Sequence, residues 1–180
     1  MRTLTKWDRR FLELALLVAS WSKDPSTKVG CVLVAPDRRI VATGYNGFAM
    51  GVVDDQAALD DRDGRLKRTL HAELNALLTA GRHGASVEGC TAYVTRHPCA
   101  NCAAALIQAG VNAIVFVQSD PAFAERWAAD IAVAQEMLAQ VRVTHIGCDP
   151  DALRCMQGQT GDARPQATLE TGQHEEAARG

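Results

Sequence analysis

Residues 70–117 read LHAELNALLTAGRHGASVEGCTAYVTRHPCANCAAALIQAGVNAIVFV, and their punctuation decides the fold. Leu70 to Ala80 is predicted as a helix, Gly81 to Gly89 as a loop, and Thr91 to Thr95 as a short strand. Cys99 to Ala109 is again a helix, stopped by Gly110, and Asn112 to Val117 returns to a strand. Such alternation places crossover helices between the strands of one sheet.

The pattern extends both ways. From Thr5 to Ser22, Trp7, Phe11, Leu14, Ala15, Val18 and Trp21 recur every three or four residues, with Thr5 and Asp8 suited to cap the helix. Trp7 and Trp21 are therefore expected in the core. Lys28 to Ala35 and Ile40 to Tyr45 form a hairpin around Pro36-Asp37-Arg38-Arg39. Asn46 to Leu70 is a long connection rich in Gly, Asp and Arg, a length that usually serves function or motion. Pro121 to Gln140 is a fourth helix, with Trp127 expected to pack in the core, and Val141 to Ile146 a last strand. The order α-β-β-α-β-α-β-α-β predicts an α/β sandwich, helices covering both faces of a mixed sheet.

Of the 180 residues, 47% are apolar and 22% charged, which suits one globular domain and argues against a disordered chain. No apolar run approaches the roughly 20 residues that span a bilayer, and MRTLTKWDRRFLEL has no secretory pattern, so a cytoplasmic protein without a membrane partner is expected. The formal net charge is -2, too little positive field for coating nucleic acid. Composition changes at Gly147: residues 148–180 carry six acidic side chains against three Arg and few large apolar ones. They read as a disordered acidic tail behind a domain of residues 1–147, with Cys148 and Cys155 as bystanders.

In a reducing compartment a close cysteine pair is more often a metal or redox site than a disulfide. Cys99 and Cys102 are three apart at a helix start, where Pro98 preorganises the first turn and the helix dipole favours thiolate. His71 and Glu73 open the preceding helix. Two residues lie about 200° apart around a helix, but in the first turn both can reach a point beyond its end. If the two helices pack side by side, two thiolates and an imidazole converge as a three-ligand, catalytic type of zinc site. A structural zinc site would need a fourth ligand, and no second C-x-x-C exists. Glu73, beside the metal without being needed as a ligand, is placed to move protons between an activated water and a leaving amine.

The arrangement H-x-E…P-C-x-x-C is the known signature of zinc deaminases. Trp21 to Gly30 (WSKDPSTKVG), Gly44-Tyr45-Asn46-Gly47-Phe48, Asp54-Asp55, His71 to Ala76 (HAELNA) and Ile107 to Val111 (IQAGV) resemble the deoxycytidylate (dCMP) deaminase branch of the cytidine deaminase superfamily, over about Trp7 to Ile146. The resemblance implies a five-stranded sheet, Zn2+ on His71, Cys99 and Cys102, Glu73 as proton shuttle, and hydrolysis of dCMP to dUMP and ammonia. It also implies a sugar contact from Asn46, a pyrimidine O2 contact from the Ala72 N–H, an amine contact from the His97 carbonyl, and a homo-oligomer. The alternatives are deamination of another free base, nucleoside or modified nucleotide, and then of nucleic acid, which near-neutral charge and few aromatics disfavour.

The branch commonly reads G-Y-N-G-x-P followed by Arg or Asn; here Ala49 and Met50 stand in those places. The remaining phosphate candidates are Lys23, Ser26, Thr27 and Lys28. A reduced preference for dCMP over deoxycytidine, widened by Met50→Arg, is the expectation, together with weak or absent regulation by dCTP and dTTP.

Overall fold

The computed structural model describes residues 4–119, 121–151 and 153. Helix α1 (Lys6–Ser20) is followed by strands β1 (Gly30–Val34), β2 (Ile40–Tyr45) and β3 (Gly47–Phe48). Helices α2 (Gln56–Asp60) and α3 (Arg62–Arg68) lead to β4 (Thr69–Leu70), α4 (Ala72–Arg82), β5 (Thr91–Val94), α5 (Ala100–Gln108) and β6 (Ala113–Val117). Helices α6 (Pro121–Arg126) and α7 (Ala128–Gln140) and strand β7 (Thr144–Cys148) complete the order. No described helix is long and apolar enough to cross a membrane.

The main sheet runs β2-β1-β5-β6-β7. Strand β1 is antiparallel to both its neighbours, whereas β5, β6 and β7 are mutually parallel. This is the five-stranded mixed sheet expected, and it separates two cores. Strand β1 shows the division: Val32 and Val34 pack with Phe11, Leu12, Ala15 and Val18 of α1, while Cys31 and Leu33 face Ala72, Ala76 and Ala80 of α4. Leu106 of α5 and Ala134 and Leu138 of α7 complete the second core. The result is a three-layer α/β/α sandwich.

The Thr5–Asp8 pair forms a complete capping box, each side chain serving the other's backbone N–H. The connection after Asn46 is more ordered than its composition suggested: β3 and β4 pair as a small antiparallel ribbon, delivering the chain to His71.

Several expectations are corrected. Trp21 is 53% exposed, because α1 ends at Ser20 and the ring turns edge-on to Tyr45. Trp127 interrupts the fourth helix, with φ −106° and ψ 10°, and lies half exposed beside Phe123 instead of in the core. The last strand starts at Thr144 and not Val141, because Arg142 adopts a left-handed φ of 58° and spends two residues on a turn. It therefore runs through Cys148, which is fully buried and no bystander, and Leu153 packs into the α1-side core. Residues 154–180, most of the acidic segment, lie outside the described residues.

Candidate active site

Helices α4 and α5 lie on the same sheet face and start at the same end of it, each just after a strand. His71 is the N-cap residue of α4, and its side chain makes no capping hydrogen bond, leaving both ring nitrogens for other work. Cys99 is the N-cap of α5, and its Sγ accepts the Cys102 N–H at 3.4 Å. The two helix starts bring His71 Nδ1 within 3.4 Å of Cys99 Sγ and 3.5 Å of Cys102 Sγ. All three donor atoms lie within 4.8 Å of one another. Tetrahedral zinc with Zn–S near 2.3 Å and Zn–N near 2.0 Å puts nitrogen and sulfur roughly 3.5 Å apart. The donor set therefore fits one zinc ion in both chemistry and spacing.

The protons in this cluster are unevenly held. Cys99 lies well below the ordinary thiol range: the Cys102 hydrogen bond stabilises its thiolate, burial opposes, and His71 adds to the stabilisation. Cys102 is pushed up, first because it donates to Cys99 and then by burial and the Glu73 charge. His71 is raised by its bond to Cys99, against burial. Glu73 is only 4% exposed. Burial lifts its carboxyl to about 7, although its own N–H and the His71 charge pull the other way. A carboxyl with proton affinity near neutrality is suited to general acid–base work.

A groove of about 440 Å³ opens over the cluster, with Thr69, Leu70, Leu74, Asn101 and Ala105 as its other walls. Ala72 is buried in the first turn of α4, which lacks a side-chain cap. Sequence reasoning passed over Asn101, whose only signal was its place between the two cysteines.

The other expected contacts fare differently. The Asn46 amide is engaged at both ends: Nδ2 donates to the Thr27 carbonyl at 2.8 Å and Oδ1 accepts the Val29 N–H at 2.7 Å. One hydrogen and one lone pair remain for a ligand. The His97 side chain is buried, edge-on to Phe116, with Nδ1 bonded to the Pro98 carbonyl at 2.8 Å. Burial holds its pKa below the ordinary value, against that bond.

Lys23, Ser26, Thr27 and Lys28 do not form a free donor cluster. Lys23 pairs with Asp54 at 2.8 Å. Asp24 Oδ1 takes the Ser26 hydroxyl and the Ser26 and Thr27 N–H groups, each at 2.8 Å. Lys28 is exposed. Sequence reading counted the donors and missed the carboxylate in their middle, as it missed Arg65 behind it. Of the four candidates only Lys23 borders a second cleft of about 440 Å³, where it, Asp24 and Arg65 meet Trp21 and Tyr45.

Residues 5–118 match the family of the cytidine and deoxycytidylate deaminase zinc-binding region. The chain belongs to this family. Its members are zinc-dependent hydrolytic deaminases. An uncharacterised deaminase in the luxG 3' region of Aliivibrio fischeri is 45% identical over 148 residues, covering 81% of this chain and 97% of that one. Human deoxycytidylate deaminase is 37% identical over 131 residues, covering 67% and 72%. The crystal structure of the dCMP deaminase from cyanophage S-TIM5, in complex with dCMP and dUMP, superposes with a TM-score of 0.67 at 24% identity, covering 82% of this chain and all of that one. At that identity the superposition speaks for the fold, which is the one described above.

Proposed function

We propose that this chain hydrolyses dCMP to dUMP and ammonia, with Zn2+ held by His71, Cys99 and Cys102 and with Glu73 as the proton carrier. The observation that carries the reading is Glu73: a nearly fully buried carboxyl with a proton affinity near 7, two residues from the imidazole of a three-donor cluster. The named deoxycytidylate deaminases among the relatives supply the substrate.

When bound, zinc supplies a Lewis acid that makes a water molecule acidic near neutral pH. Glu73 takes one proton from the attacking water and passes it to the pyrimidine ring nitrogen as the new carbon–oxygen bond forms. It then takes the second proton from the resulting hydroxyl and delivers it to the amine as the carbon–nitrogen bond breaks and ammonia leaves. The burial of Glu73 keeps the carboxyl from losing its proton to bulk water between those transfers. The uncapped N–H of Ala72 is available to the pyrimidine carbonyl, the remaining amide positions of Asn46 to the sugar, and the His97 carbonyl to the leaving ammonia.

The protein acts in the cytoplasm, where Cys99 and Cys102 stay reduced, and as a homo-oligomer, consistent with the exposed apolar side chains of Leu17 and Trp21. The test is ammonia release by the zinc-loaded chain from dCMP, a modified dCMP, deoxycytidine, cytidine and guanine. The highest kcat/KM is expected for dCMP. Faster release from guanine or from a nucleoside overturns the substrate assignment.

A further inference from the structure

We infer that Asp130 is a positioning residue that holds the two cysteine ligands in place through the helix start that carries them. The inference rests on the reading of His71, Cys99 and Cys102 as the zinc ligands.

Helix α5 opens with backbone N–H groups that have no acceptor inside the helix. One of these has a local partner, the Cys102 N–H on Cys99 Sγ at 3.4 Å, and the regular helical bonds begin only with the Ala103 N–H on the Cys99 carbonyl at 2.8 Å. The Ala100 N–H, between the two ligands, is served from elsewhere. Its acceptor is Asp130 Oδ2 at 2.8 Å, from the first turn of α7 and 30 residues away in sequence. A carboxylate accepting a backbone N–H at that distance is a charge-assisted bond, and it also complements the positive end of α5.

The bond restrains the peptide joining Cys99 to Ala100. That peptide sets the direction of the Cys99 side chain, and the turn that follows sets Cys102. The brace is itself anchored: Asp130 sits in α7, which fixes Ala134 and Leu138 in the buried layer shared with Ala103 and Leu106 of α5. Asp130 is not among the donor atoms that could hold the ion, and its hydrogen bond acts on the backbone of α5. Groups one step removed from metal ligands commonly govern affinity in this way.

The test uses the full chain as wild type, Asp130→Asn, Asp130→Ala and Asp130→Ser. Zinc affinity is read by chelator competition, and ligand geometry by the thiolate-to-metal absorption of the Co2+-substituted protein. Asn keeps an acceptor oxygen in the same place, whereas Ala removes it and Ser cannot reach. The Ala and Ser variants should bind zinc about ten- to a hundredfold more weakly, with an altered Co2+ spectrum. Asp130→Asn should recover most of the affinity and the wild-type spectrum. Val18→Ala, in the opposite core, supplies a control that lowers stability without touching α5.

Wild-type affinity and spectrum in Asp130→Ala or Asp130→Ser overturn the inference alone, as does a loss no greater than that of Val18→Ala. Equal losses in the Asn and Ala variants also overturn the acceptor role. If Asp130→Ala fails to fold, the Ser and Asn pair decides by the same criteria. A wild-type chain that binds no zinc, or a Cys102→Ala variant that binds it equally well, removes the underlying site as well.

Discussion

Arg65 reaches back across the chain to Asp24, Nε to Oδ2 at 3.5 Å, with the two side chains only 9% and 10% exposed. The pair fastens the 46–70 connection to the body, and Arg65 also donates to the Leu59 carbonyl and accepts the Thr69 hydroxyl at its own carbonyl. It thereby fixes the segment that ends at His71.

This pair sets an acid limb. Asp24 titrates below its ordinary 3.8: burial works against ionisation, but the bonds from Thr27 and Ser26 and the Arg65 charge outweigh it. A depressed folded pKa contributes stability above the unfolded pKa, and that stability is lost as pH falls through the folded one. The melting temperature should therefore drop more steeply below about pH 4 in wild type than in Asp24→Asn. Asp24→Ala, which leaves a buried guanidinium without its counter-ion, should cost about 3 kcal/mol at neutral pH by denaturant melts. A loss below about 0.5 kcal/mol would mean that water replaces the carboxylate freely.

Gly44 sets how closely α4 approaches the sheet. A Cβ there would lie 2.4 Å from both the Ala72 carbonyl oxygen and the Ala76 N. Both are backbone atoms, so the helix itself must move. Gly44→Ala should destabilise by about 1–3 kcal/mol and weaken zinc binding, since α4 carries His71 and Glu73. Gly30 offers the matched control: its Cβ would lie 2.1 Å from the Ala15 carbonyl oxygen, in the opposite layer. Gly30→Ala should destabilise similarly and leave zinc affinity unchanged. Chelator competition beside thermal melts separates the two.

The ligand cluster was legible because its chemistry is local. Two helix starts, each marked by residue type and spacing, needed only to be packed side by side, and helix–strand alternation supplies that. Asp24, Arg65 and Asp130 were not legible, because each acts through a partner that only the tertiary fold brings near. Asp24 and Arg65 are 41 residues apart, Ala100 and Asp130 30. Trp21 misled because an apolar period that runs past the last helical turn no longer specifies a face. Cys148 misled because a buried strand residue opens a segment whose average composition is polar, and averaging hides a single core position.

Glu73 and the cysteines should separate under mutation. Glu73→Gln keeps the shape of a buried side chain, so fold and stoichiometric zinc should persist. Activity should fall by about a thousandfold or more, because the proton transfers lose their carrier. Cys102→Ala should lose zinc together with activity, since two donors hold the ion poorly. Zinc content by atomic absorption and ammonia release decide this. A Glu73→Gln enzyme within a few-fold of wild type would end the proton-carrier role.

Position 50 bears on the choice between nucleotide and nucleoside. A charge-assisted bond to phosphate contributes about 1.5–3 kcal/mol, roughly ten- to a hundredfold in kcat/KM for dCMP over deoxycytidine. On the sequence alone, an arginine at position 50 would add such a bond. The structure argues otherwise. Met50 is 82% exposed, and its sulfur lies 3.2 Å from the Arg82 guanidinium. The turn is closed on itself, with the Val52 N–H on the Ala49 carbonyl at 3.0 Å and Gly51 at a φ of 82°. Neither Ala49 nor Met50 borders the groove over His71, Cys99 and Cys102. Met50→Arg should therefore change the dCMP to deoxycytidine ratio by no more than about threefold, the usual reach of a surface substitution of about 0.5 kcal/mol. The new cation would also face Arg82, which favours the side chain turning outward. Steady-state kinetics on both substrates measures the ratio, and a widening of about tenfold or more would show that this turn closes over the phosphate after all.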